Sequence, residues 1–189
     1  MPEVLNQLRE EHRNIARVLN ALEHQLAIFD HGERPDYDVL EAAAEYFTEF
    51  PDRCHHPKED LIFFKLKQRD PTAVESIADL EIEHQRIAGL ADHFRQAVRN
   101  VLQEIEVPRE AFDAVLRHFI RDQRQHMSME QEHFFPLALR VLSTEDWAEI
   151  DGQVTKEDDP LFGVEASRPY EGLLRHILTW EQEDEAQEG

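Results

Sequence analysis

The sequence predicts an all-α protein, a four-helix bundle with a short C-terminal helical extension. Three observations carry this. Apolar residues recur at spacings of three and four along most of the chain, the helical period. There are only 6 glycines, and the β-branched alternation of strands is scarce. Two short motifs also recur in the same order, which pairs four helical stretches into two related hairpins.

The first stripe is Leu5, Leu8, His12, Ile15, Leu19, Leu22 and Leu26, apolar except for His12. It should close near His31-Gly32, where glycine can take the left-handed conformation. The second stretch starts near Pro35-Asp36 and runs to about Gln68. Pro51 and Pro57 interrupt it, and each removes a backbone donor, so a kink or break is expected there. Asp70-Pro71-Thr72 then punctuates the chain.

The third stripe is Ile77, Leu80, His84, Ile87, Ala91, Phe94, Val98, Val101 and Ile105, again with one histidine among apolar residues. Pro108 stands where a first-turn proline belongs. The fourth stripe is Phe112, Val115, Phe119, His126, Glu130, Leu137 and Val141. It reads as one helix from Arg109 to Leu142, about 50 Å long at 1.5 Å per residue.

Residues 143–189 form a separate extension beside the bundle of residues 1–142. Ser143-Thr144-Glu145 reads as the cap of a short helix carrying Trp147 and Ile150. Asp158 to Gly163 reads as a turn, and Tyr170 to Trp180 as a last amphipathic helix. The acidic end, residues 181–189, has the composition of a disordered segment.

Composition excludes several partners. The formal charge of -21 lacks the basic footprint that nucleic acid or an anionic membrane surface requires. No apolar run approaches the ~20 residues of a membrane span. The charged N-terminus, MPEVLNQLREEHR, does not read as a signal peptide. The single cysteine, Cys54, allows no internal disulfide. A cytoplasmic location fits these features.

The chemistry lies in the histidines. Residues 11–16 and 83–88 share EHxxIA, and residues 55–64 and 126–135 share HxxxExxxFF. His12 and His84 are 72 residues apart, and His55 and His126 are 71 apart. In a helix, i and i+4 share a face, so His55 with Glu59 and His126 with Glu130 can each offer an imidazole and a carboxylate to one centre. His12 and His84 each add one imidazole.

Taken singly, each piece has a plainer reading. A lone histidine on an apolar face is more often a satisfied core residue, and HxxxE is often a surface pair. Burying four histidines and two carboxylates together without a cation would carry a large desolvation cost, which a metal removes. Imidazole with carboxylate suits iron, manganese or zinc. Two glutamates able to bridge two ions, with open positions left over, suit a ligand-binding or redox di-iron centre better than a closed zinc site.

Of the other histidines, His56 lies one residue off the inward face and reads as exposed, though it is the main rival to His55. His133 aligns with Ile62, an inward position, and could be an extra ligand or a supporting partner.

These motifs resemble the hemerythrin-like, or HHE cation-binding, family over about residues 3–142. The carriers are EEHR at 10–13, HHPKEDLIFF at 55–64, EHQR at 83–86 and HMSMEQEHFFPLA at 126–138. DWAEID at 146–151 and DDPLFG at 158–163 are similar to a tail of bacterial members. The resemblance implies an up-down-up-down bundle holding an oxo- or hydroxo-bridged pair of iron ions, with manganese or zinc as substitutes. By motif the ligands are His12, His55, Glu59, His84, His126 and Glu130, and the partner is a diatomic molecule or peroxide.

Two departures stand out. Oxygen-carrying hemerythrins have a second histidine four residues after the third-helix one, where this chain has Ala88. Their fourth-helix carboxylate is an aspartate five residues after its histidine, where this chain has Glu130 at four. The set is more similar to the four-histidine, two-glutamate centres of iron–sulfur repair proteins and of related iron or oxygen sensors.

The expected function is therefore a non-haem di-iron protein that binds or senses O2, NO or peroxide, or handles iron. One alternative is a ferritin-like redox enzyme using Glu81-x-x-His84 and Glu130-x-x-His133, with Glu59 and Glu10 or Glu11 as the other carboxylates. Another is a metal-free helical interaction module.

Overall fold

The computed structural model describes residues 1–77, 79–154, 158–163 and 166–188. The described residues are helical throughout their regular elements, with no strand among them. No helix among them is long and apolar enough to cross a membrane.

Helix α1 runs Glu3–Asp30 and closes as expected, with Gly32 at φ 82 and Glu33 N donating back to Ile28 O at 3.2 Å. Its start is capped from far away: Asp151 Oδ1 accepts from Val4 N at 2.9 Å, since Pro2 offers no side-chain acceptor. Helix α2, Tyr37–Phe50, is capped by Asp36, whose side chain accepts from Asp38 N and Val39 N.

The expected irregularity near Pro51 and Pro57 is a widened π turn, Pro51–His55, leading into α3, His56–Arg69. Helix α4, Leu80–Leu102, is shorter than its stripe. Ile77 falls in the turn before it, and Ile105 lies beyond it, past Glu104 at φ 59, and is half exposed.

The fourth stripe is not one regular helix. Helix α5, Arg109–Met129, passes through a second π turn, Glu130–Phe134, into α6, Phe135–Val141. The two π turns share a cause. His56 N donates to Pro51 O and Phe135 N to Glu130 O, and a proline, Pro57 or Pro136, follows each donor. A helical proline would clash with the carbonyl four residues back, and a widened turn relieves that contact.

Helix α7, Thr144–Asp151, begins with a capping box between Ser143 and Asp146. Helix α8 runs Glu171–Glu188, so helix continues where composition reads as disordered; Gly189 lies outside the described residues.

Helix α2 packs on α4, α4 on α5, and α5 on α1. The apolar core inside them is split in two. One part gathers Ile15 to Phe29 of α1 with Phe47, Phe94 and Phe119, and takes in Leu161, Tyr170, Leu173 and Ile177 from the extension. The other gathers Val4, Leu5 and Leu8 with Ile62, Phe63, Phe134, Phe135 and Trp147. Between Leu8 and Ile15 lies a buried polar layer at the level of His12.

Candidate metal centre

The layer contains His12, His55, His56, Glu59, His84, His126 and Glu130, all buried, with His12, Glu59 and Glu130 at 0% exposure. The periodicity explains their depth. His12 and His84 replace one apolar residue each on inward stripes, and the two HxxxE pairs extend the inward faces of α3 and α5.

Each carboxylate divides its two oxygens. Glu59 Oε1 lies 3.5 Å from both His12 Nε2 and His55 Nε2, while its Oε2 lies 3.4 Å from His84 Nε2. Glu130 Oε2 lies 3.3 Å from His12 Nε2, while its Oε1 lies 3.5 Å from His84 Nε2 and 3.0 Å from His126 Nε2. The donors fall into two groups, His12, His55, Glu59 and Glu130, and His56, Glu59, His84 and His126, each with ligand atoms within 4.8 Å of one another.

These atoms are close but not hydrogen-bonded. Among the described residues, the buried side-chain atoms without a partner are His12 Nε2, His84 Nε2, both nitrogens of His126, both oxygens of Glu59 and Glu130, and Gln123 Nε2. All but the last belong to the layer. Orphaned polar atoms at this depth are costly, and donors aimed at a shared point fit a cation.

Except at His126, the other ring nitrogens of the layer are held from outside. His55 Nδ1 meets Glu11 Oε2 at 2.8 Å, His84 Nδ1 meets Asp60 Oδ1 at 3.0 Å, His56 Nδ1 meets Asp52 Oδ1 at 3.1 Å, and Gln131 Nε2 meets His12 Nδ1 at 3.0 Å. Metal-binding imidazoles are typically fixed in this way, with one nitrogen bonded outward and the other free. Glu11 also binds Lys58 Nζ, so the buried lysine is paired.

Electrostatics point the same way. Burial disfavours the charged form of His12, but Glu130 and Glu59 outweigh it and hold the imidazole up to about 9. His84, likewise buried, is held up to about 11 by Asp60, Glu130 and Glu59. Burial raises the cost of charge on Glu59, yet His55, His12 and His84 keep its carboxyl well below the ordinary value. Burial pushes His56 down to about 4. Two carboxylates thus stay ionised, and two protons supply positive charge where a cation would.

A family model described as the hemerythrin HHE cation binding domain matches residues 3–138. The chain belongs to that family. No curated protein and no solved structure matches it. It is a hemerythrin-like, cation-binding helical domain whose His/Glu clusters fit a metal.

All six residues singled out by motif, His12, His55, Glu59, His84, His126 and Glu130, converge in this hemerythrin-like domain. His56 is a correction: it reads as exposed but is buried. The Pro51–His55 π turn hands the inward face from the Phe47-Phe50-Cys54 stripe to the His55-Glu59-Ile62 stripe, and at the hand-over Cys54, His55 and His56 are all buried.

His133 is the opposite case. The second π turn shifts the register after Glu130, so Phe134 and Phe135 turn inward at 0% exposure and His133 turns out to solvent. Glu81 and Glu10 are exposed as well, which leaves the ferritin-like ExxH arrangement without its ligands. Glu11, the first residue of EHxxIA and a carboxylate candidate only in the ferritin-like reading, instead supports His55 from outside the donor groups.

Proposed function

We propose that this chain is a non-haem di-iron protein that binds or senses a small molecule, O2, NO or peroxide. In this reading His12 and His55 hold one ion, His84 and His126 hold the other, and Glu59 and Glu130 bridge them within an up-down-up-down four-helix bundle. The observation that carries it is the division of each carboxylate's oxygens between the two imidazole groups.

Iron is favoured over a closed structural zinc site because the donors are imidazole and carboxylate, shared between two positions. Cys54 is in neither donor group. Bound iron would supply open coordination positions and a reversible redox change. The chain supplies the rest. Outward hydrogen bonds fix the imidazoles of His12, His55 and His84, the apolar core on both sides limits water, and a surface pocket lined by Arg13, Ser128 and Gln131 reaches as far as buried His12. Iron handling draws on the same donors. The charge of -21 and the lone cysteine support a cytoplasmic protein without a nucleic-acid partner.

Metal analysis of the purified chain, with optical spectra under O2, NO and peroxide, tests the proposal. Two irons per chain and ligand-dependent spectra are expected. A chain that binds no iron, or keeps its iron content when His12 and His84 are both changed to alanine, would sink it.

A further inference from the structure

We infer that His176 is an acid-sensitive latch: its neutral ring docks the C-terminal helix α8 on α1 and the start of α2, and mild acid loosens that helix from the bundle. No residue of this latch belongs to either donor group of the central layer, so it works with or without a metal.

The latch turns on one amide. Gln25 of α1 is 1% exposed, and its Oε1 accepts at 2.7 Å from the backbone N–H of Asp36, the cap of α2. That bond fixes which end of the amide faces α8: Gln25 Nε2 stands 3.0 Å from His176 Nε2. An amide nitrogen only donates, so His176 Nε2 accepts, and the ring is neutral with its proton on Nδ1. His24 Nδ1 stands 3.4 Å from the same nitrogen, and Trp180, one turn further along α8, stacks on His24 at 5.4 Å. A proton on His176 Nε2 sets a donor against the Gln25 donor. Turning the amide over only moves the mismatch to Asp36 N. Acid therefore breaks one hydrogen bond of buried Gln25 whichever way its amide lies.

The charges around His176 do not cancel this. From α1 it meets His24, and with both rings charged two cations stand 3.4 Å apart. Arg17, also on α1, is already held by Glu181. Asp36 and Asp38 at the start of α2, with Arg175 of α8, line the groove beside His176, and Glu183 acts from further along α8. Asp36 and Glu183 favour a charged ring, but burial and His24 outweigh them and hold His176 below the ordinary 6.5. The stability that the neutral ring contributes is thus fully present above pH 6.5 and is lost as pH falls through the lowered value. Leu173 and Ile177 in the core and the Arg17–Glu181 pair still hold α8, so acid makes the helix open more often without detaching it outright.

Hydrogen exchange of the full chain, read as protection factors so that the intrinsic pH dependence of exchange cancels, tests this. Protection of the α8 amides is expected to fall about tenfold between pH 7.5 and pH 5.5, the equivalent of one such hydrogen bond. His176→Gln, whose amide oxygen accepts from Gln25 at every pH, is expected to protect α8 equally at both. Constant protection in the unaltered chain, or an equal fall in His176→Gln, would overturn the inference. Imidazole nitrogen NMR of the unaltered chain decides independently, so a variant that failed to dock α8 would not spare it. At pH 7.5 His176 is expected to carry its proton on Nδ1 and to titrate below 6.5. A proton on Nε2 at that pH, or titration at or above 6.5, would overturn the latch as well.

Discussion

Glu11 Oε2 lies 2.8 Å from His55 Nδ1, joining α1 to the π turn before α3. The same carboxylate holds Lys58 Nζ. One buried side chain therefore orients a proposed ligand and neutralises a buried ammonium. Glu11→Ala is expected to weaken iron binding about 10–100-fold, as loss of such a supporting partner does. It also strands Lys58, at a cost of about 3–5 kcal/mol. Glu11→Gln should lie between, since an amide oxygen can still accept from one partner. Chelator competition and thermal unfolding measure the two effects; an alanine variant that holds iron as tightly as the parent would refute the orienting role.

Metal loading should release protons. His12 and His84 are raised from an ordinary 6.5 to about 9 and about 11, so both are charged in the metal-free protein at pH 7.5. A metal needs the free nitrogen, so about two protons per chain should leave on loading. The sign for stability follows from the same shifts. The contribution of these imidazolium groups is fully present below pH 6.5 and is lost as pH rises through 9 and then 11. The metal-free protein should weaken over that range, while metal affinity rises. Calorimetry in buffers of different ionisation enthalpy counts the protons; a count near zero would mean that both imidazoles are neutral before loading.

Removing the metal should cost stability without unfolding the chain. The two apolar core regions are independent of the layer, and the protons on His12 and His84 offset Glu59 and Glu130. Binding to the folded state alone adds about 2.7 kcal/mol at a free metal concentration 100 times Kd. Chelated protein is therefore expected to keep its helical circular dichroism at neutral pH but to melt at a lower temperature. Loss of helix on chelation at pH 7 would show that the layer cannot survive on protons alone.

Helical period and the two repeated motifs were enough to bring six histidines and glutamates to one layer, because His12, His84 and His126 sit on inward stripes and each glutamate follows its histidine by four. What could not be read depends on register. Pro57 announced its π turn, but the burial of both His55 and His56 follows only once the turn's extra residue is counted. Pro136 carried the same signal for the second turn. Reading it would have turned His133 outward and Phe134 and Phe135 inward. The roles of Glu11 and Asp151 were illegible for another reason: their partners, His55 and Val4, lie 44 and 147 residues away in sequence.

An acidic turn ties the extension to α1 and α2. Asp159 Oδ2 accepts from Tyr46 OH at 3.1 Å and Asn14 Nδ2 at 3.3 Å, while Oδ1 accepts from Leu161 N at 2.9 Å and Phe162 N at 3.1 Å. Arg17 stacks over Phe162 and grips Glu181 with two hydrogen bonds, so the turn and α8 share a clamp on α1. Burial raises the Asp159 carboxyl above its ordinary value, with Leu161, Phe162, Tyr46 and Asn14 opposing. Ionisation at this site therefore costs stability rather than adding to it, and any contribution from the raised carboxyl is lost as pH rises above the ordinary carboxylate range. Asp159→Asn keeps an acceptor for the backbone and is expected to be near neutral in stability at pH 7. Asp159→Ala leaves buried Tyr46 without that partner and should cost about 1–3 kcal/mol. If denaturant unfolding found the two variants equally destabilised, the charge of Asp159, rather than its hydrogen bonds, would be what secures the extension.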